Sequence, residues 1–493
     1  MNTITSIYRK ISWYGVRKAI GLLLVFAGFF MVLCAPVSWY YREYESGRAI
    51  LLSGFITVTS GLAMGIPGTI RKIQIRIKES YIIVTTSWIV ISLFGTLPYL
   101  LSGSIPNFTD AFFETISGFT TTGASILSDI EALPKGILLW RSMTHWIGGI
   151  GIIVLFTAVM PMLGNNSMRL FSLENSSITM EKLHPQIKGT ALRLSLIYLL
   201  LTVTETLLLY AGKMDLFDAV CHSFGTVATG GFSTQNSSIA GYSPYIQYVV
   251  AIFMLLAGIN FSLHYFLFKG RVQKILKNDE LKFYLKTIVF STLLITTVLV
   301  LRNGTGRNIE ASFRETFFQI TSIVTCTGFI TADYELWPTI GWVIIFLLMF
   351  SGGMAGSTAG GIKSFRHLLL FRIIRTDFYR RVHPNAVIPV QFNQKTVSET
   401  IILNVQAFFV LYIIVFIVGT LAMILTGMTA KSAAGGVASC LGGIGPGLGM
   451  LGAVSNYSGV SPVGKYILSL IMLLGRLEIF TLLMILSWSF WKK

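Results

Sequence analysis

DAFFETISGFTTTGAS, residues 110–125, interrupts a long apolar sequence yet is too short and too polar to cross a bilayer. Three later stretches echo it: DLFDAVCHSFGTVATGGFS at 215–233, SFRETFFQITSIVTCTGFIT at 312–331 and, more faintly, SAAGGVASCLGGIGPGL at 432–448. Each sets a short aromatic or small-residue segment before a turn that contains Gly. Aligned on Gly123, Gly230, Gly328 and Gly445, the unit recurs at a period of roughly 100 residues, as expected for a duplicated supersecondary unit that cannot close a core alone. Four half-crossings of this kind point to a pore.

The surrounding sequence is that of an integral membrane protein. Of 493 residues, 53% are hydrophobic and 12% charged, against about 25% charged in soluble domains. Ten apolar runs are candidate spans: 19–40, 48–70, 81–102, 138–163, 191–212, 243–268, 285–301, 340–363, 399–427 and 462–488. The net charge of +17 could suggest nucleic acid, but its distribution excludes that partner. With the N-terminus inside, one alternation of ten spans puts 26 basic residues on the cytoplasmic side and ten outside, with seven acidic residues inside and twelve outside. Both termini are then cytoplasmic. The first apolar run follows Arg9, Lys10, Arg17 and Lys18 and has no small-residue cleavage site before Pro36, so it reads as an uncleaved anchor. Cys34, Cys221, Cys326 and Cys440 have no metal-ligand spacing, and His145, His222 and His264 are equally scattered. HExxH, GxSxG and paired intramembrane Asp motifs are missing, which argues against an enzyme.

The fold expected is all-α, with four pseudo-repeats of helix, pore loop and helix around one central pore and an N-terminal helix pair before them. The boundaries fall at 1–78 for the pair, then 79–190, 191–284, 285–398 and 399–493 for the repeats. Ser312 and Glu315 form an S-x-x-E capping box, while Asp110 and Asp215 can cap the first two half-helices. Eight to ten residues would carry each one roughly 12–15 Å inward. Their converging C-terminal ends, partly negative, favour a cation. The chain then returns through irregular backbone, which is tolerated at that depth only inside protein or along water. Carbonyls of Thr121, Thr122 and Gly123, of Ala228, Thr229 and Gly230, of Cys326, Thr327 and Gly328, and of Gly443, Ile444 and Gly445 could together replace the hydration shell of an alkali ion.

A second unusual stretch, FSGGMAGSTAGGIKSF at 350–365, sets Gly352, Gly353, Gly356, Gly360 and Gly361 inside the eighth run. Each costs roughly 1 kcal/mol relative to Ala in a helix interior, so the helix should break there. Small-residue helix packing explains two such glycines better than five beside Ser357 and Thr358, so we expect a flexible intramembrane loop under the filter. Arg476 and Glu478 lie deep in the last run, two apart and so on different sides of a helix. Arg476 either faces the pore as a barrier to cations or ties to a carbonyl or to a carboxylate such as Glu205. The basic segment 363–398 suits a membrane surface or a cytosolic docking partner.

With these motifs assembled, the chain resembles the Trk/Ktr/HKT superfamily of potassium transport proteins, closest to the bacterial TrkH-type subunit. The resemblance rests on SGFTTTGAS at 117–125, VATGGFST at 227–234, TCTGF at 325–329, GIGPGLG at 443–449, SGGMAGSTAGGIKSFR at 351–366 and GRLEIFT at 475–481. It implies K+ uptake across the cytoplasmic membrane through a filter with one central Gly per repeat, here Gly123, Gly230, Gly328 and Gly445. It also implies a gate at 351–361 and a pore-blocking role for Arg476. Family members form homodimers and are gated by a cytosolic ring of nucleotide-binding RCK subunits, TrkA-like for this chain, with nucleotide on the partner only. K+/H+ or K+/Na+ symport is the alternative, with Glu205, Glu478 and the histidines as titratable candidates, and a membrane signalling scaffold or enzyme is the reading from a different class. In the fourth repeat Gly442 and Gly443 precede Ile444, where members carry Asn.

Overall fold

The computed structural model describes residues 11–65, 77–159, 187–303 and 308–492. The basic stretch before residue 11, most of that at 71–78 and nearly all of that at 164–190 lie outside the described residues. Apart from a two-residue hairpin, Gln391–Phe392 with Lys395–Thr396, the described secondary structure is helical.

The chain opens on an antiparallel pair, Trp13–Tyr40 and Tyr44–Gly65. Gly21 and Gly28 of the first helix meet Gly61 and Gly54 of the second, and a Cβ on Gly28 would stand 2.9 Å from the Gly54 carbonyl oxygen. Small residues one heptad apart on both helices let the backbones touch, the packing that apolar surroundings favour. Outward, the pair presents Leu22, Phe29 and Phe55, all more than half exposed. Such a face is at home in lipid.

Four long–short–inner helix sets follow. The long helices are Ile77–Gly95, Ile187–Ala211, Asp279–Asn303 and Glu399–Leu425. The short ones are Phe108–Phe119, Leu216–Val227, Ile309–Val324 and Ala430–Gly442. Inner helices begin at Lys135–Val159, Pro244–Ala257, Thr339–Leu348 and Pro462–Arg476. Among the described residues six helices are long and apolar enough to cross a membrane, or eight if each of two bent pairs is one span. The expected run 138–163 falls within and beyond Lys135–Val159. The run 340–363 is helical only to Leu348, because its glycines stop the helix there.

Candidate functional site

The short helices run to 12, 12, 16 and 13 residues, longer than the eight to ten expected. Their caps explain the first and third. Asn107 and Asn308, rather than Asp110 and Ser312, accept from the first free backbone N–H groups, Thr109 at 2.8 Å and Glu310 at 2.9 Å. Asp215 caps the second as expected, accepting from Phe217 N–H at 3.0 Å, and Thr429 caps the fourth. Asp110 instead takes Lys465 of the last inner helix at 2.6 Å.

All four short helices end the same way. The N–H groups of Thr122, Gly230, Thr327 and Ile444 reach back five residues to the carbonyls of Ser117, Gly225, Ser322 and Ser439, at 2.9, 2.7, 2.8 and 2.9 Å. This termination requires a left-handed residue just before, which is ordinarily Gly. Only the fourth helix uses Gly, Gly443 at φ 69; the others place Thr121 (φ 53), Thr229 (φ 53) and Cys326 (φ 56) there. A side chain in that conformation costs roughly 1–2 kcal/mol, strain of the kind that collects at functional sites. Two residues on, the backbone is left-handed again at Gly123 (φ 80), Gly231 (φ 81), Gly328 (φ 86) and Gly445 (φ 100).

The second turn therefore corrects the sequence alignment by one residue: the counterpart of Gly123 is Gly231, and Gly230 corresponds to Thr122. The two adjacent glycines serve different needs. Gly231 supplies the positive φ, whereas Gly230 has no side chain because the His145 ring lies against its Cα. By backbone geometry Thr229, Gly230 and Gly231 match Thr121, Thr122 and Gly123, while Ala228 corresponds to Thr120.

The turns form a closed cycle. A Cβ on Gly123 would run into the Gly230 carbonyl, one on Gly231 into that of Thr327, one on Gly328 into that of Ile444, and one on Gly445 would stand 2.8 Å from that of Thr122. Gly123, Gly231, Gly328 and Gly445 together face a chamber of about 190 Å³.

Polar side chains brace the outward limbs. Glu114, fully buried on the first short helix, accepts from Ser125 Oγ and Ile126 N–H, each at 2.9 Å, and from Arg141 Nε at 2.7 Å. Arg141 also donates to the Ser233 carbonyl at 2.8 Å, with its guanidinium 3.6 Å from the Phe232 ring centre. Tyr457 donates its hydroxyl to the Gly445 carbonyl and its N–H to that of Ser125, both at 2.8 Å, joining the fourth limb to the first.

The opposite side of the cycle meets the glycine-rich loop. Gly360 packs on the Gly442 carbonyl, and Thr358 donates to the Val227 carbonyl at 3.0 Å. Gly352 lies against Gly360, Gly353 beside Ala359, and Gly356 and Gly361 turn the chain at φ 73 and 67. Ser357 donates to the Met354 carbonyl at 2.6 Å. The segment is anchored as well as rich in glycine: Met354 N–H reaches Gly258, Ala355 N–H reaches Glu280, and Phe261 N–H reaches Gly356. Arg476, 7% exposed, donates to the Thr358 carbonyl at 3.0 Å and to that of Gly148 at 3.1 Å. It thus ties the loop to the first inner helix through two carbonyls. Glu478 pairs with Arg366, and the backbone is left-handed at Glu478 and Ile479, where the last helix pair bends by 116°.

Residues 46–492 match the family described as TrkH, cation transport protein. The chain belongs to that family. It is 39% identical over 97% of its length, and 99% of the relative's, to the Trk system potassium uptake protein TrkH of Escherichia coli K12. It is 34% identical, over 85% of its length and 87% of the relative's, to the Trk system potassium uptake protein TrkG of the same organism. The crystal structure of the potassium transporter TrkH from Vibrio parahaemolyticus superimposes with a TM-score of 0.89 at 34% identity, covering 98% of this chain and 100% of that one.

For this TrkH-family chain, the sequence-selected turns and loop lie on two sides of one cycle, and Arg476 is tied into the loop. Glu114 and Arg141 were missed. A Glu inside a short half-crossing and an Arg in the apolar run at 138–163 were both legible signals, since a charge there needs a partner.

Proposed function

We propose that the protein mediates K+ uptake across the bacterial cytoplasmic membrane, with the four turns as a selectivity filter. The closed cycle of turns carries this reading. Alternating backbone handedness at residues 121–123, 229–231, 326–328 and 443–445 turns successive carbonyls to one side, and a ring of such carbonyls can replace the water around a dehydrated cation. Membership in a cation-transport family, and relatives named for potassium uptake, support K+ as cargo. The architecture is four pseudo-repeats around one pore after an N-terminal pair, divided at 1–78, 79–190, 191–284, 285–398 and 399–493. Ten spans leave both termini cytoplasmic.

Residues 351–361 and Arg476 form the gate. The loop packs against the ends of the second and fourth short helices, and the guanidinium fixes it across to Gly148. Release of Thr358 from Arg476 would free the loop to move. The chain works as a homodimer, gated by a TrkA-like nucleotide-binding partner at the cytoplasmic face, and itself binds no nucleotide. A reversal-potential series on purified, reconstituted protein in K+, Na+ and varied pH tests this. Reversal that follows K+ alone is expected. Shifts with pH or Na+ would replace uniport by symport, and absence of cation flux with and without the partner would sink the proposal.

A further inference from the structure

One position recurs on the short helices, eight residues before the residue whose N–H closes each turn, and is occupied by Glu114, His222, Gln319 and Gly436. The first three hold their own outward limb: Glu114 through Ser125 Oγ and Ile126 N–H, His222 through Ser233 Oγ at 3.0 Å, and Gln319 through the Ala332 carbonyl at 2.6 Å. Gly436 has no side chain to do so, and Leu451 packs in that place.

Glu114 differs from the others in carrying charge and in having a cationic partner. Arg141 connects it to the Ser233 carbonyl of the neighbouring limb, and His222 holds that residue's hydroxyl. A continuous polar chain therefore links the first two turns. Arg141 also lines the chamber faced by the four left-handed glycines. A positive charge at the entrance of a cation path opposes entry unless a negative charge beside it cancels its field, and on the wall of an open chamber salt in solution screens whatever field is left uncancelled.

We propose that Glu114 and Arg141 form a specificity-determining clamp. Glu114 cancels the field of Arg141 in the chamber, and the pair fixes the spacing of the first two turns, on which discrimination between K+ and Na+ depends. The inference rests on the transport reading above. Both residues are positioning residues, because neither supplies a filter carbonyl.

The test uses full-length protein in planar bilayers, with K+ and Na+ currents recorded for the parent, Glu114→Gln, Glu114→Asp and the double variant Glu114→Gln/Arg141→Gln. Glu114→Gln leaves Arg141 uncancelled, so K+ current entering from the chamber side should fall about tenfold at low salt and recover as ionic strength rises. The double variant should regain current but lose K+/Na+ discrimination severalfold, while Glu114→Asp keeps most of it. A merely structural role would lower the yield of folded protein without moving salt dependence or permeability ratio. Parental current and salt dependence in Glu114→Gln would overturn the charge role. A parental K+/Na+ ratio in the double variant would overturn the clamp, and this arm decides even if Glu114→Gln does not fold, since removing both partners strands no buried charge. Absence of flux in the parent would instead strike the transport reading, before any variant is compared.

Discussion

Around the cycle of turns, four unlike sequences, TTG, TGG, CTG and GIG, adopt one backbone with the same five-residue hydrogen bond and the same pair of left-handed residues. Against its other side, four inner helices at equivalent places end in different ways. Lys135–Val159 runs on unbroken, Pro244–Ala257 gives way to a 100° bend, Thr339–Leu348 yields to the glycine-rich loop, and Pro462–Arg476 bends by 116° after Arg476. The cycle needs four matching walls because each glycine leans on the next wall's carbonyl. The layer below has no such mutual constraint. Uniform geometry in the cycle suits a fixed task, and unequal geometry below it suits one element that moves.

The difference can be broken most severely at the walls. Gly231→Ala would put a side chain into a left-handed position against the Thr327 carbonyl, and loss of K+ selectivity is expected, read as a reversal potential no longer tracking K+. Gly230→Ala sharpens the register: its obstacle is the His145 ring, so pairing it with His145→Ala should restore K+ selectivity, whereas the same partner should leave Gly231→Ala unselective.

In the layer below, the expected defect is opposite in kind. Arg476→Ala removes both ties between loop and first inner helix and should raise basal open probability about tenfold or more without altering K+/Na+ preference. Unchanged or lower single-channel open probability would remove Arg476 from the gate. Thr358→Val deletes the hydroxyl shared between the Val227 and Ala257 carbonyls, a neutral hydrogen bond worth about 1 kcal/mol, so a rise of roughly fivefold is expected in the same recording. The smallest functional effect should come from outside both regions. Gly28→Leu in the N-terminal pair overfills a backbone contact and should cost about 1–3 kcal/mol, seen as a lower melting temperature with ion selectivity intact.

Much of this was legible from the chain. The four turns, the broken eighth run and the buried Arg476 each violate what an apolar span requires, and such violations show in one dimension. The caps were less legible: Asn107 and Asp110, or Asn308 and Ser312, are all competent N-caps, and only packing decides how far a helix extends. The register of TGG was not legible at all, since a glycine needed for its φ looks the same as one needed for a neighbour's ring. Nor was the partner of Arg476, which is two carbonyls where a carboxylate was an equal expectation.

The sequence by itself determined that the protein is a helical membrane protein with four interrupted units, because hydrophobic length, charge asymmetry and misplaced glycines are properties of the chain alone. Tertiary structure decided which glycine of each turn faces the chamber, which carbonyls each wall leans on, and that Glu114 joins Arg141 across two units. Those depend on contacts between residues far apart in the chain, and no local preference encodes them.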